Sequence, residues 1–324
     1  MMGKKLFDYV IGNPPYQESD GGAGASATPV YNKFIEATKE LDPDVMSYII
    51  PAKWYSGGKG LDKFREEMLS DPHMSVLEDY TNSAEVFPGV DVAGGVCYFI
   101  RDKKHTGKCE YTNHFNGKIT TELRNLNATK TFIRYPIAAK IIKKVAALKE
   151  TTLDIVVSVR KPFGLPTTTR PLKNGDIIIR CNGGKGPYLR SKVLVGTEMI
   201  DQWKIIISRL TAEHAGQPDK NGQFRVLSTM EELKPGEICS ETYLVAGAFD
   251  TKNEADNYMA YLKTKFSRFL LQQIAMTQQL SRSTFGYVPA QDFKQHWNDK
   301  RLYNKYDLTE DEISFIEKLI KEMA

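Results

Sequence analysis

Asn13-Pro14-Pro15-Tyr16 is the tetrapeptide whose residue types and spacing suit a reaction. It follows directly on a short apolar run, Leu6–Gly12, of the kind that forms a buried strand. In open α/β sheets ligands bind at the strand ends. A strand would here deliver a side-chain amide, two rigid prolines and an aromatic ring to that edge. The prolines fix the backbone and cannot donate hydrogen bonds. The Asn13 side-chain carbonyl and the Pro14 main-chain carbonyl can therefore both accept from one planar NH2 group. A purine's exocyclic amine is a poor nucleophile because its lone pair is delocalised into the ring. Two acceptors on its protons favour a pyramidal nitrogen and stabilise the positive charge that develops during attack. Tyr16 would stack on the base, with a sulfonium methyl in line with the nitrogen.

A second set of residues is basic. Arg160-Lys161-Pro162-Phe163, Thr167–Arg170, Ser208-Arg209 and Ser281-Arg282-Ser283-Thr284-Phe285 place cations beside aromatic or hydroxyl residues in expected loops. Such groups clamp phosphates and read base edges, which makes Arg160, Lys161, Arg209 and Arg282 candidate DNA-binding residues, with Arg209 and Arg282 preferred. The charge distribution agrees. Residues 1–130 hold 15 Lys+Arg against 18 Asp+Glu, whereas residues 131–324 hold 29 against 22. Gly57-Gly-Lys-Gly60 and Gly183-Gly-Lys-Gly186 lack phosphate-loop spacing and read as turns. Asp91 with Asp102-Lys-Lys104 reads as a charged hairpin rather than a nuclease centre.

The elements that must hold these residues follow from periodicity. Strands are expected at Leu6–Gly12, Val45–Pro51, Ser75–Tyr80 and Gly95–Arg101, with Lys108–Asn113 forming a hairpin with the last. Between them, after a loop at Gly21–Thr28, come a helix with Tyr31, Phe34, Ile35, Thr38 and Leu41 on one face and a second helix over Leu61–Leu69. That order implies an open α/β sheet. The polar, Asn/Thr-rich texture of 115–135 marks a change, and a helix starts near Pro136 with Ile137, Ile141, Val145 and Leu148 on one face. Short β runs follow at Asp176–Cys181, Ser191–Val195, Trp203–Ser208, Phe224–Leu227 and Glu241–Ala246. A long helix over Ala255–Leu280 and a capping box at Thr309-Glu-Asp-Glu312 close the pattern. The expected domains are 1–130, 131–290 and a helical tail, 291–324.

The composition, 41% hydrophobic and 26% charged, excludes collagen-like and disordered chains. No stretch approaches the roughly 20 apolar residues a membrane span needs. Cys97, Cys109, Cys181 and Cys239 are scattered, which argues against a disulfide framework and for a cytoplasmic setting. The five His residues lack metal-ligand spacing, so no metal is expected.

The segment FDYVIGNPPY resembles the catalytic motif of S-adenosylmethionine-dependent adenine-N6 DNA methyltransferases of restriction–modification systems. VMSYIIPAKWYSGG (45–58) resembles the next strand and loop of that family. Glu85-Val-Phe-Pro88 with GVCYFIRDKK resembles the later motif whose Phe packs on a flipped adenine, a role that carries onto Phe87. The tail from Phe285 is similar to the ends of large fused restriction enzymes. The resemblance implies a partial Rossmann-like methyltransferase sheet followed by a mostly β (α+β) target-recognition domain, in the gamma-type motif order. It implies double-stranded DNA as partner and base flipping, with Asn13, Pro14, Pro15, Tyr16 and Phe87 catalytic and Asn13 and Pro14 beside the cofactor. The family's cofactor-binding motifs precede NPPY, and twelve residues precede Asn13 here. The resemblance therefore implies a C-terminal portion with an incomplete cofactor site, inactive alone, and a separate methyltransferase half or restriction subunit as partner. Two alternatives stay open: a DNA-recognition module without catalysis, and a methyltransferase acting on protein glutamine, whose amide is equally planar.

Overall fold

Two compact units divide the chain at Pro136. The computed structural model describes residues 6–18, 28–56, 60–92, 94–129, 131–213, 218–274 and 279–323. The expected turn at Gly57–Gly60 and loop at Gly21–Thr28 lie largely outside these.

In the first unit the apolar and amphipathic stretches form β1 (Tyr9–Gly12), α1 (Tyr31–Glu40), β2 (Val45–Pro51), α2 (Asp62–Ser70), β3 (Met74–Tyr80), β4 (Val96–Asp102), β5 (Cys109–Phe115) and β6 (Lys118–Arg124). They build one six-stranded sheet in the order β1-β2-β4-β3-β5-β6. β1 and β2 pair in parallel, as do β3 and β5, while β4 runs antiparallel to both β2 and β3. β1, β2, β3 and β5 therefore all end at the same edge of the sheet. Met46, Tyr48 and Ile50 alternate inward along β2, with Leu77, Phe99 and Tyr111 filling the same interior.

Three expectations are corrected here. β5 does not form a hairpin with β4; its hairpin partner is β6, inside the segment whose polarity suggested irregular chain. β6 is an edge strand with one solvated face, so its residues need not be apolar. Asn116-Gly117, both at positive φ, makes the tight turn and was the local signal for it. On α1 the buried stripe is Tyr31, Ile35 and Thr38, with Phe34 and Leu41 exposed. The Thr38 hydroxyl, 2.6 Å from the Tyr48 hydroxyl, fixes that rotation. The first strand starts at Tyr9 rather than Leu6.

The second unit begins with α3 (Pro136–Ala147), which buries Ala138, Ile141, Ile142 and Val145; Leu148 lies beyond its end and is exposed. β7 (Ile177–Cys181), β8 (Gly184–Tyr188), β9 (Trp203–Ser208), β10 (Met230–Leu233), β11 (Glu237–Cys239) and β12 (Tyr243–Phe249) follow. They form two three-stranded sheets, β10-β9-β12 and β11-β7-β8. Ile177, Ile179, Ile206, Leu233, Ile238 and Val245 from both sheets share one apolar cluster. The chain closes with α4 (Lys252–Lys263), α5 (Lys265–Ile274), α6 (Asp299–Lys305) and α7 (Glu310–Leu319). The architecture is α/β throughout, with the second unit richer in short strands.

Here too the sequence pattern needs amendment. Ser191–Val195 and Phe224–Leu227 are not strands; Leu194 is 86% exposed, and Phe224 makes only an isolated bridge to Ile320. The Gly-rich run read as a turn makes the tight β7–β8 turn at Asn182-Gly183 and then continues into β8, where a Cβ on Gly186 would stand 2.6 Å from Pro171. The long helix is two helices. Thr264 is extended between them (ψ 147°), and the Thr264 and Ser267 hydroxyls join the Thr264 N–H in donating to the Tyr261 carbonyl at the break. The capping box of Thr309 and Glu312 starts α7 as expected. No helix among the described residues is long and apolar enough to cross a membrane.

Candidate active site and basic cavity

The NPPY tetrapeptide leaves the sheet at the end of β1. Gly12 is the last strand residue, and a Cβ there would come within 2.4 Å of the Tyr48 ring. Only glycine lets the backbone turn that close to β2. Pro14 is buried and Asn13 and Pro15 are exposed, so the motif is anchored at one residue and presents its amide outward. Tyr16 is tied back at its carbonyl, which accepts from Val30 N at 3.3 Å just ahead of α1. Its side chain is half-buried. The hydroxyl is wholly buried and has no hydrogen-bond partner among the described residues. Burial, and then the nearby Cys97, push that phenol's pKa up. Cys97 itself is pushed up to about 12 by burial and accepts from Trp54 Nε1, so it is an inert thiol.

Because β3 ends at the same edge as β1, the loop carrying Phe87 belongs to that edge too. Ser83 braces it: the Phe87 N–H donates to the Ser83 carbonyl at 2.8 Å, and the Ser83 hydroxyl donates to the Val90 carbonyl and accepts from Val92 N, each at 2.8 Å. Phe87 is half-buried. No ring contact joins it to Tyr16 among the described residues, so the two aromatic residues share an edge without forming one stack.

A buried ion pair holds the same edge from beneath. Asp79 is fully buried at the end of β3, and Arg134 donates to both its oxygens at 2.6 and 2.9 Å. Tyr111 and Asn113 complete the carboxylate's shell at 2.8 and 3.0 Å. The remaining arm of Arg134 reaches the Gly94 carbonyl at 2.7 Å, at the far end of the Phe87 loop. Gly95 beside it sits at φ 80°, and a Cβ would lie 2.1 Å from the Tyr80 carbonyl. Asp79, Ser83 and Arg134 carried no local signal in the sequence, since their roles exist only once β3, β4 and β5 are paired.

The basic candidates come together elsewhere. In the second unit Arg160, Arg209 and Arg282 line one cavity of about 440 Å³ with Val159, Leu244 and Leu280. Three anchors assemble it: Ser158 N donates to Val245 O, Leu280 N to Arg209 O, and Leu153 N to Val288 O. Glu241, 6% exposed at its side chain, lies between the cations. It accepts from Arg160, stands 3.4 Å from Arg209 and 3.7 Å from Lys161. Burial works to raise its pKa, but the Arg160 hydrogen bond and the surrounding cations outweigh it and hold the carboxyl below its usual range. Arg282 donates instead to the Asp154 carbonyl. Sequence reading found the arginines and missed Glu241, which lies in a run resembling any strand.

Residues 1–87 match the family model of the Eco57I restriction-modification methylase. An uncharacterised adenine-specific methylase of Mycoplasma pneumoniae is 27% identical over 175 residues, covering 50% of this chain and 42% of the relative. Among solved structures, the type IIG restriction endonuclease BpuSI aligns with 91% of this chain and 45% of its own at 12% identity and a TM-score of 0.37. The type IIL restriction-modification enzyme MmeI, solved in complex with DNA, aligns with 86% and 46% at 8% identity and a TM-score of 0.39. The chain thus spans less than half the length of each of these proteins. Its first 87 residues, which include the NPPY motif and Phe87, match the restriction-modification methylase family, and the chain is similar to adenine-specific methylases.

Proposed function

We propose that this chain is the adenine-binding and DNA-recognising portion of an adenine-N6 DNA methyltransferase of a restriction–modification system. The observation that carries the reading is the NPPY segment at the end of β1, with Asn13 exposed and Pro14 buried, on the edge where β3 delivers the Phe87 loop. An adenine flipped from duplex DNA would present its N6 amine to the Asn13 side-chain carbonyl and the Pro14 carbonyl. Two acceptors on the two N–H bonds withdraw the lone pair from ring conjugation and stabilise the cationic nitrogen as it alkylates. Tyr16 offers a ring face to the base, and Phe87 limits its other side. Once the nitrogen carries the methyl, its extra proton passes to solvent, because the exposed Asn13 is no base.

Among the described residues Asn13 and Pro14 supply the two acceptors for the amine. Among the described residues β1 is an edge strand, pairing with β2 alone, and Tyr9 and Ile11 on one face of it are 72% and 85% exposed. An open, apolar strand edge invites a further strand. S-adenosylmethionine would supply the methyl group, and a methyltransferase half that adds to this edge would bind it.

The test is a titration followed by an assay. This chain alone should bind S-adenosylmethionine weakly or not at all and should bind duplex DNA. With a cofactor-binding half supplied, tritiated methyl should enter duplex DNA and not glutamine-containing peptides. Tight cofactor binding by the chain alone would refute the division of labour. Methyl transfer to the peptide glutamine would instead favour the protein-methylating alternative.

A further inference from the structure

The cavity of the second unit joins two properties that no ordinary surface needs together. Its apolar lining is the buried Leu244 and Leu280 with the exposed Val159, and Arg160, Arg209 and Arg282 line it as cations. Counting Lys161, four cations stand against two carboxylates, Asp154 and Glu241. Glu241 is saturated by Arg160, Lys161 and Arg209, which leaves uncompensated positive charge at the mouth. An anion would relieve it, and charge-assisted bonds to guanidinium groups are the strong ones. A bare anion would leave the apolar lining wet, whereas a flat apolar group bearing a phosphate satisfies both. The volume, about 440 Å³, lies within the range of small-ligand sites.

We propose that this cavity takes one unstacked nucleotide, its base against the apolar side chains of Val159, Leu244 and Leu280 and its phosphate between Arg209 and Arg282, and that Glu241 is the positioning residue of the site. Arg209 is braced twice, by Glu241 at 3.4 Å through one arm and by Gln279 at 3.3 Å through the other. Arg160 is fixed to the same carboxylate oxygen. Glu241 is itself anchored, its N–H donating to the Leu165 carbonyl at 2.9 Å. A carboxylate at an anion site is unfavourable on charge alone. Its place here is explained by what it orders: two long side chains that would otherwise lose rotamer freedom on binding. The nucleotide can come from a DNA strand or from solution. The first source rests on the DNA reading above; the second does not.

The test uses the full 324-residue chain. Deoxyadenosine and thymidine 5′-monophosphates and inorganic phosphate are titrated calorimetrically, and a labelled duplex of about 25 base pairs by anisotropy, for the wild type, R282A and E241Q. Both mononucleotides should bind more tightly than inorganic phosphate and compete with the duplex. R282A should weaken them about tenfold. E241Q adds net positive charge, so simple electrostatics predicts tighter binding; positioning predicts weaker binding, by about tenfold, with the nonspecific salt dependence unchanged. R282A, at an exposed side chain, keeps the test valid should E241Q fold poorly. Mononucleotide binding without duplex binding would support the site with a free nucleotide as its source and count against the DNA reading. Duplex binding that neither variant nor mononucleotide disturbs would overturn the inference and leave the DNA reading standing. Tighter anion binding by E241Q would overturn the role of Glu241.

Discussion

The two sites are made in opposite ways. The strand-edge site of the first unit is four consecutive residues whose positions are set by backbone: a glycine that fits under Tyr48, two prolines, and one carbonyl tie at Tyr16. The cavity of the second unit joins residues far apart in the chain, Arg209 with Gln279 across 70 residues and Arg282 with Asp154 across 128. Its order comes from side-chain charge around Glu241. The first site depends on its turn and on the buried Asp79–Arg134 pair of the same unit, the second on a half-exposed charge cluster that lines it. Substitutions in each unit can therefore break the contrast or sharpen it.

The largest effect belongs beneath the first site. Asp79→Ala leaves Arg134 buried and unpaired and should destabilise the first unit by about 3–5 kcal/mol. Urea unfolding with hydrogen exchange should show protection lost over β3–β5 and retained over β7–β12. Equal loss in both would show that the units do not stand apart. Next is Gly12→Ala, whose Cβ meets the Tyr48 ring, at a cost of about 1–3 kcal/mol by the same readout. An unchanged unfolding midpoint would mean the strand end can shift freely.

At Tyr16 the sign differs between two variants. The buried, unpartnered hydroxyl makes Tyr16→Phe neutral or slightly stabilising, since it removes a polar atom with no partner among the described residues. Tyr16→Ala should weaken capture of an extrahelical adenine by about 1–3 kcal/mol through lost stacking. Equal losses in the two variants would show that the hydroxyl has a bound partner.

The smallest effect is that of pH. Asp71 is paired with Arg101 at 2.8 Å and Lys39 at 3.1 Å. Burial tends to raise its pKa, but the Arg101 bond and Lys39 prevail and lower it from 3.8. Glu241 is likewise lowered from 4.5. A carboxylate depressed in the folded state stabilises the fold above its unfolded pKa, and that contribution is lost as pH falls through the folded value. Melting temperature should therefore be flat from these groups above about pH 5 and fall below about pH 4. D71N should flatten the acid limb of the first unit and E241Q that of the second. An acid limb unaltered in both variants would show that these clusters contribute nothing to acid stability.

How much of this was legible follows from the same contrast. The site proposed at NPPY could be named from sequence because its residue types are local: four adjacent residues after an apolar run. β2 and β9 were readable with their full extents, since period and flanking turns agree there. β6 was hidden because an edge strand can be polar, although Asn116-Gly117 announced its turn. The break at Thr264 was hidden by apolar residues that keep helical spacing on both sides of it. Glu241 and Asp79 were invisible for a stronger reason: a buried carboxylate looks like a surface one until the cations around it are known.

The decisive experiment is the N6-methyladenine content, by nucleoside mass spectrometry, of duplex DNA incubated with S-adenosylmethionine and this chain joined to a cofactor-binding half. Wild-type chain should methylate adenine at N6. N13A should lose about 10²–10³-fold in rate, with duplex affinity kept within about threefold. Near-normal methylation by N13A would contradict the role given to the NPPY amide.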